Sequence, residues 1–471
     1  MKLRFKTKLS YGIGGIADNS MYNFAASFLL FFLTIIVGIE PAAAGFIAAM
    51  GAIWEAVCGP IIGYISDNTD SRYGKRKPFL MVSAAPIALS TGLLFTYIEL
   101  PYTLKIIYYG FMVLVFWTTF AMFFVPYMAW GSDLTNDYNE RTVLRSYTYV
   151  FYQIGMAIGI VMPTVIVAFL TNRGYSEVTS WSYVGFFVGI CAMISLFICA
   201  LTIHETDNKG YVKTKRDKII TKIKLKEMYL DYWEILQLKA IRYLILASIM
   251  FLVSNIVFSS GRIYYYTYNI GLDGGQISKI LLIITVSGIA FVPFINALAK
   301  SHDKNKVFLW GQVLTGLLFI IFRFMGVDSY FAAIGMGIVF SIANSCYWQL
   351  MPSMIYDVCE VEELHSGQKH SASVISLQAL SESLASAIGL QLLGLILQLH
   401  GFDSQSAIQS EEALVGVSNS FTLYPGILMI IVALIILKYP VNRKMFNRVM
   451  SALDKRKNGQ EFDMDQFKDI L

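Results

Sequence analysis

Nearly all charges of this 471-residue chain fall in short segments, and the stretches between them are apolar and long enough to cross a bilayer. That spacing constrains the fold more than any motif does. A spanning helix takes roughly 20 mostly apolar residues. About twelve such stretches can be marked, near 10–38, 42–66, 79–98, 105–130, 144–171, 180–203, 240–270, 276–299, 306–325, 329–356, 370–399 and 420–440. Backbone groups in hydrocarbon must be satisfied within the chain, so long uniformly apolar segments are helices. A barrel would instead show short alternating strands, and the sequence has no such pattern. With 56% hydrophobic and 15% charged residues, the chain carries more apolar surface than a core in water could hide. The expected fold class is an all-α membrane protein.

Orientation follows from Lys and Arg, which are retained on the cytoplasmic side of short loops. Alternate loops are basic: Lys2 to Lys8, then Arg72 to Lys77, Arg141 and Arg145, Lys209 to Lys226, Lys300 to Lys306, and Arg443 to Lys457. The loops between them carry few basic residues, such as Arg173 and Lys279. An even number of spans and this alternation place both termini in the cytoplasm. The net charge of +5 comes from these loops and does not call for a nucleic-acid partner.

The basic N-terminus leads into an apolar stretch too long for a signal peptide and lacking a small-residue cleavage site, so it reads as the first span. Cys58, Cys191, Cys199, Cys346 and Cys359 lie in or beside spans without metal-ligand spacing, which argues against a zinc site or a disulfide framework. No phosphate-binding Gly-rich loop, metalloprotease helix or serine elbow occurs, so an enzyme is not expected.

The longest polar interruption, 204–238, divides the chain into an N-terminal bundle (1–203) and a C-terminal bundle (239–440), followed by a tail (441–471). Within the interruption, 219–238 is amphipathic enough to lie on the inner membrane surface, or it is a plain linker. The halves echo one another as repeat-built transporters do. GYISDNTDSRYGKRKP (63–78) stands opposite ALAKSHDKNK (297–306), and SDLTNDYNERT (132–142) stands opposite YDVCEVEELHSGQK (356–369). The first pair is basic and the second acidic, so the four loops can form a salt-bridged latch at the cytoplasmic mouth. Asp67, Arg72, Asp133, Arg141 and Asp357 are the candidate gating residues; the alternative is that these loops only set topology.

At these residues the chain resembles the glycoside–pentoside–hexuronide:cation symporters, a branch of the major facilitator superfamily that includes melibiose permease. The likeness rests on KLSYGIGG (8–15), IWEAVCGPIIGYISDNTDSRYGKRKPFL (53–80), VPYMAWGSDLTNDYNERTVL (125–144) and GQKHSASVISLQALSESLASAIG (367–389), in order and in matching topological places. The resemblance implies two six-helix bundles, the major facilitator fold, with substrate bound near the bilayer midplane and alternating access. It also exposes departures. The family's sodium cage of two carboxylates, an asparagine and a threonine corresponds to Glu55, Gly59, Cys58 and Ala121, of which only Glu55 offers a carboxylate; the other three supply none of the hard oxygens sodium prefers. The family's sugar-binding charges correspond to Asn19, Phe124 and Tyr149, and its eleventh-span lysine falls near Glu382 and Ser383. Melibiose itself is therefore not the expected substrate. Asp18 adjoins the expected acidic position but points about 100° away on a helix.

An ionised group at mid-membrane must be paired, hydrated or neutralised. Glu55 stands one turn before Gly59 and Pro60, and desolvation there favours a carboxyl that takes up and releases a proton. It is the candidate cation-coupling residue, with the proton preferred over sodium; a helix-packing carboxyl is the alternative. Arg262, in SNIVFSSGRIYYYTYN (254–269), can pair with Asp18, Glu55 or Glu382, or present a fork to a substrate carboxylate or hydroxyl pair. Sugars offer apolar C–H faces and polar rims, so aromatics and amides in spans are candidate contacts. The substrate-binding set is Asp18, Asn19, Tyr22, Tyr149, Gln153, Arg262, Trp348 and Gln378, with Trp348 matching a family tryptophan.

These readings converge on a secondary transporter of a bacterial-type inner membrane that carries a glycoside, oligosaccharide or sugar acid by proton symport. Membrane lipid is its solvent, and neither a metal nor another cofactor is expected. Two alternatives stand beside it: a carrier of an amphipathic organic anion or lysolipid, and a non-transporting membrane sensor.

Overall fold

The computed structural model describes residues 3–69, 71, 73–134, 138–203, 233, 235–326, 329–367, 371–404, 406, 408–458, 460–468 and 470. Arg72, most of 204–238, and the side chains of Asp67, Asp133, Arg141 and Tyr149 lie outside what it describes.

Twelve helices among the described residues are long and apolar enough to cross a membrane. They are α1 (Phe5–Ile36), α2 (Pro41–Gly63), α3 (Lys77–Leu94), α4 (Tyr102–Gly131), α5 (Val150–Thr171), α6 (Glu177–Thr202), α7 (Lys239–Asn269), α8 (Gly274–Ser301), α9 (Lys304–Met325), α10 (Tyr330–Ser366), α11 (Leu377–Leu399) and α12 (Glu411–Leu437). Large apolar side chains such as Phe46, Val82, Phe111, Phe169, Phe294, Trp310 and Phe331 are exposed on them, as a lipid solvent requires.

Local chemistry sets the helix ends. Pro41 opens α2 without losing a helical hydrogen bond. Ser176 and Ser329 cap α6 and α10 by accepting from the N–H groups of Thr179 (3.1 Å) and Ala332 (3.2 Å). Gly326 and Gly367, both at positive φ, end α9 and α10. Two helices outrun their apolar stretches. α10 continues to Ser366, ten residues beyond the expected 356, and α12 begins at Glu411 rather than near 420. In both, backbone hydrogen bonding carries the helix through polar sequence, and Glu411 and Glu412 suit the positive end of α12. π-helical turns close α1 at Phe32–Ile36 and α7 at Tyr265–Asn269, and one interrupts α5 at Ala157–Val161.

Packing divides the chain into two compact units. Unit 1 holds Met1–Lys213, Ser259–Leu282 and Leu390–Val417. In it α1 lies against α5 and α6, α3 against α4 and α6, and α2 against α4. Close approach of α5 to α1 depends on glycine, since a Cβ on Gly159 would sit 2.4 Å from the Ser20 carbonyl. Tyr11 and Tyr127 stack at 4.6 Å, and each hydroxyl donates to the other's carbonyl, at 3.2 and 2.8 Å. Hydroxyl pairs join segments distant in sequence: Thr34 with Tyr264 at 2.6 Å and Thr164 with Ser278 at 2.7 Å.

Unit 2 holds Thr214–Phe258, Ile283–Gly389 and Ser418–Leu471. α9 packs on α10 and α12, and rings of Phe251 and Tyr347 stack at 4.3 Å. Its tail forms a further helix, α13 (Arg443–Lys457), which packs on α10. Arg443 Nη2 donates to the carbonyls of Ala299 (3.2 Å) and Lys300 (3.0 Å), and Arg456 Nη1 to that of Leu364 (3.0 Å), so the tail satisfies carbonyls left open at the ends of α8 and α10.

Candidate functional site

In unit 1 the predicted residues of α1 form a polar row. Asn19 Nδ2 donates to the Tyr152 carbonyl on α5 at 2.6 Å, and Asn23 Nδ2 donates to Asn19 Oδ1 at 2.7 Å. Tyr22 meets Trp117 edge to face at 6.3 Å. Asp18, Tyr22 and Gln153 are all half-buried. Asn19 thus spends one amide N–H on holding α1 to α5.

Glu55 is half-buried on α2. One residue before it, Trp54 Nε1 donates to Thr118 Oγ1 at 2.8 Å, and Thr118 donates onward to the Leu114 carbonyl at 2.7 Å. One turn further, Cys58, Ile62 and Ala121 form a buried apolar cluster with Met122 and Val125 against it. A Cβ on Gly59 would touch only Val125, at 3.9 Å. Two of the residues at the family's cage positions, Cys58 and Ala121, are therefore packed among apolar side chains, with the Cys58 thiol 4.0 Å from Thr118 Oγ1.

Arg262 is 4% exposed, and its Nε is buried without a hydrogen-bond acceptor. Among the described residues of unit 1 it makes no ion pair with Asp18 or Glu55.

In unit 2, α7, α10 and α11 build a connected network. Ser248 and Tyr347 share a hydrogen bond of 2.5 Å. Gln378 Nε2 donates to Ser248 Oγ at 2.7 Å and to Glu382 Oε1 at 3.1 Å. A second chain runs from Asn255 Nδ2 to Asn344 Oδ1 at 2.8 Å, and Trp348 Nε1 donates to the same oxygen at 3.2 Å. Beside these lies a cavity of about 190 Å³ lined in part by Tyr347, Trp348, Tyr356, Gln378 and Glu382. Trp348 is 50% exposed, so its ring is available to a ligand. An exposed aromatic next to amide and carboxylate is the chemistry that binds a ring with an apolar face and hydroxyl rim.

The structure brings predicted Trp348 and Gln378 to one cavity. Sequence reasoning did not assign Ser248, Asn344, Tyr347 or Glu382 to a site. The available signal was spacing: Gln378 and Glu382, and Asn344 and Trp348, stand four apart and so share a helix face. Asp357, a predicted gating residue, is held by Lys304 Nζ at 2.8 Å within unit 2.

A family model described as MFS/sugar transport protein matches residues 10–443. The chain belongs to that family, the glycoside–pentoside–hexuronide branch of the major facilitator superfamily. The symporter YnaJ of Bacillus subtilis is 26% identical, with 99% of this chain and 98% of that one covered. The glucuronide carrier protein homolog of Escherichia coli is 23% identical over 98% of both chains. The isoprimeverose transporter of Lactiplantibacillus pentosus is 23% identical over 96% of this chain and 92% of its own. Among solved structures, a D-xylose–proton symporter has a TM-score of 0.67 at 14% identity, covering 94% of this chain and 99% of the other, a likeness of fold. This family member is thus an integral inner-membrane transporter and not an enzyme.

Proposed function

We propose that the protein carries a glycoside, oligosaccharide or sugar acid by proton symport, through alternating access across a bacterial inner membrane, with both termini cytoplasmic. The observation that carries this reading is the cavity of unit 2, where exposed Trp348 stands beside Gln378 and Glu382, in a chain whose relatives are named as carriers of a glucuronide and of isoprimeverose. The proton is favoured over sodium by the apolar packing of Cys58 and Ala121, which leaves Glu55 as the carboxyl for coupling. Arg262, buried with an unsatisfied Nε, is suited to a substrate carboxylate or hydroxyl pair. Together with Asp18, Asn19, Tyr22, Tyr149 and Gln153 it makes the unit 1 contribution in this proposal.

Uptake of labelled glycosides, hexoses and uronic acids into proteoliposomes tests the reading. At least one sugar is expected to accumulate under a pH gradient, and lysolipids or amphipathic anions are expected not to compete. Failure of every sugar, with uptake of the amphiphiles, would contradict it. Asp67, Arg72, Asp133, Arg141 and Asp357 are proposed to latch the cytoplasmic mouth. Charge reversal at Arg72 should raise thiol labelling at inner-side cysteines, and unchanged labelling would count against the latch.

A further inference from the structure

The cavity of unit 2 carries more information than that a sugar fits it. Its wall combines Trp348, half-exposed, with Gln378 and Glu382. Glu382 is half-buried, and the amide of Gln378 donates to it from Nε2 at 3.1 Å. The other described residues facing the cavity are Tyr347, Met351, Pro352, Ile355, Tyr356 and Ala379, so among the described residues no Lys, Arg or His lines it. Gln378 is 8% exposed, and its Oε1 is buried with no donor. The wall therefore presents the Glu382 carboxyl as an acceptor, within a span where leaving it unsatisfied is costly. Hydroxyl donors from a ligand would supply what is missing, and a ligand carboxylate would add a second negative charge beside Glu382 with no cation to offset it.

We propose that Glu382 is a specificity determinant: it accepts from adjacent hydroxyls of a neutral sugar ring seated against Trp348, and it excludes a ring that presents a carboxylate there. The inference rests on the sugar-carrier reading and narrows it to neutral glycosides at this cavity.

The test is counterflow in proteoliposomes with methyl β-xyloside and methyl glucuronide as probes. Wild type should prefer the xyloside. Glu382→Gln should raise its half-saturation about tenfold while holding the maximal exchange rate within about twofold, the mark of lost ground-state binding. Glu382→Lys should reverse the preference toward the glucuronide. An Ala379→Cys variant, on the same cavity wall, should be protected from a thiol reagent by the xyloside and not by the glucuronide, which gives a readout independent of Glu382 variants. An unchanged half-saturation in Glu382→Gln, an unchanged probe ratio in Glu382→Lys, a wild-type preference for the glucuronide, or equal protection by both probes would each overturn the proposal while leaving sugar transport intact. A wild-type protein that carries no sugar at all overturns both.

Discussion

Glu55 and Glu382 are both carboxyls set in apolar spans, yet they keep different company. Around Glu55, the positions that would have to supply oxygens to a cation hold Cys58 and Ala121, packed with Ile62 into hydrocarbon. Around Glu382, three helices contribute Ser248, Tyr347 and Gln378 to a joined set of hydrogen bonds beside an open aromatic wall. The difference teaches that one scaffold packs apolar side chains at one such place and holds a polar network at another. We propose the carboxyl near the apolar cluster for the proton and the carboxyl in the network for recognition of a hydroxylated ligand.

Removing the ionisable group should break the comparison most sharply. Glu55→Gln is expected to lower pH-driven concentrative uptake by on the order of tenfold or more while leaving counterflow in place. Undiminished accumulation, measured as the inside-to-outside ratio of labelled sugar, would move the coupling role away from α2. Rebuilding oxygen ligands should sharpen it next. Gly59→Asp has room, since its Cβ meets only Val125 at 3.9 Å, and combined with Cys58→Asn it should confer about fivefold stimulation by sodium. Absence of any sodium response would mean that the apolar packing is not what excludes the ion. On the other side, Tyr347→Phe removes the hydroxyl shared with Ser248 and should weaken sugar half-saturation roughly fivefold, the worth of about 1 kcal/mol. The smallest effect is expected from Trp54→Phe, which forfeits the hydrogen bond to Thr118 near Glu55. Uptake should change by less than about twofold, and thermal stability should fall by roughly 0.5–1 kcal/mol.

Much of this architecture was legible in the sequence, because a bilayer imposes a length and polarity rule on every span. The twelve apolar stretches correspond one to one with α1 to α12. The ends were less legible where helices run on through charge, as in α10 past Asp357 or α12 from Glu411, since hydropathy is silent about backbone hydrogen bonding in polar sequence. At the candidate site, Trp348 and Gln378 stood out singly as polar or aromatic residues in spans. Ser248 and Tyr347 did not, because their meaning comes from partners on other helices: Tyr347 lies 99 residues from Ser248, and Gln378 lies 130 from it. Arg262 shows the converse. Its residue type suggested a function, and the structure adds that the side chain is buried with its Nε lacking an acceptor.

The central claim is that this scaffold couples a sugar to the proton through a carboxyl whose cage for sodium is gone. The most direct measurement is accumulation of labelled methyl β-xyloside in proteoliposomes under a pH gradient and a sodium gradient imposed separately. Accumulation driven by pH, with none driven by sodium, is the predicted result. Accumulation driven by sodium alone would contradict the account, since it would require a cation site built from residues other than Glu55, Cys58, Gly59 and Ala121.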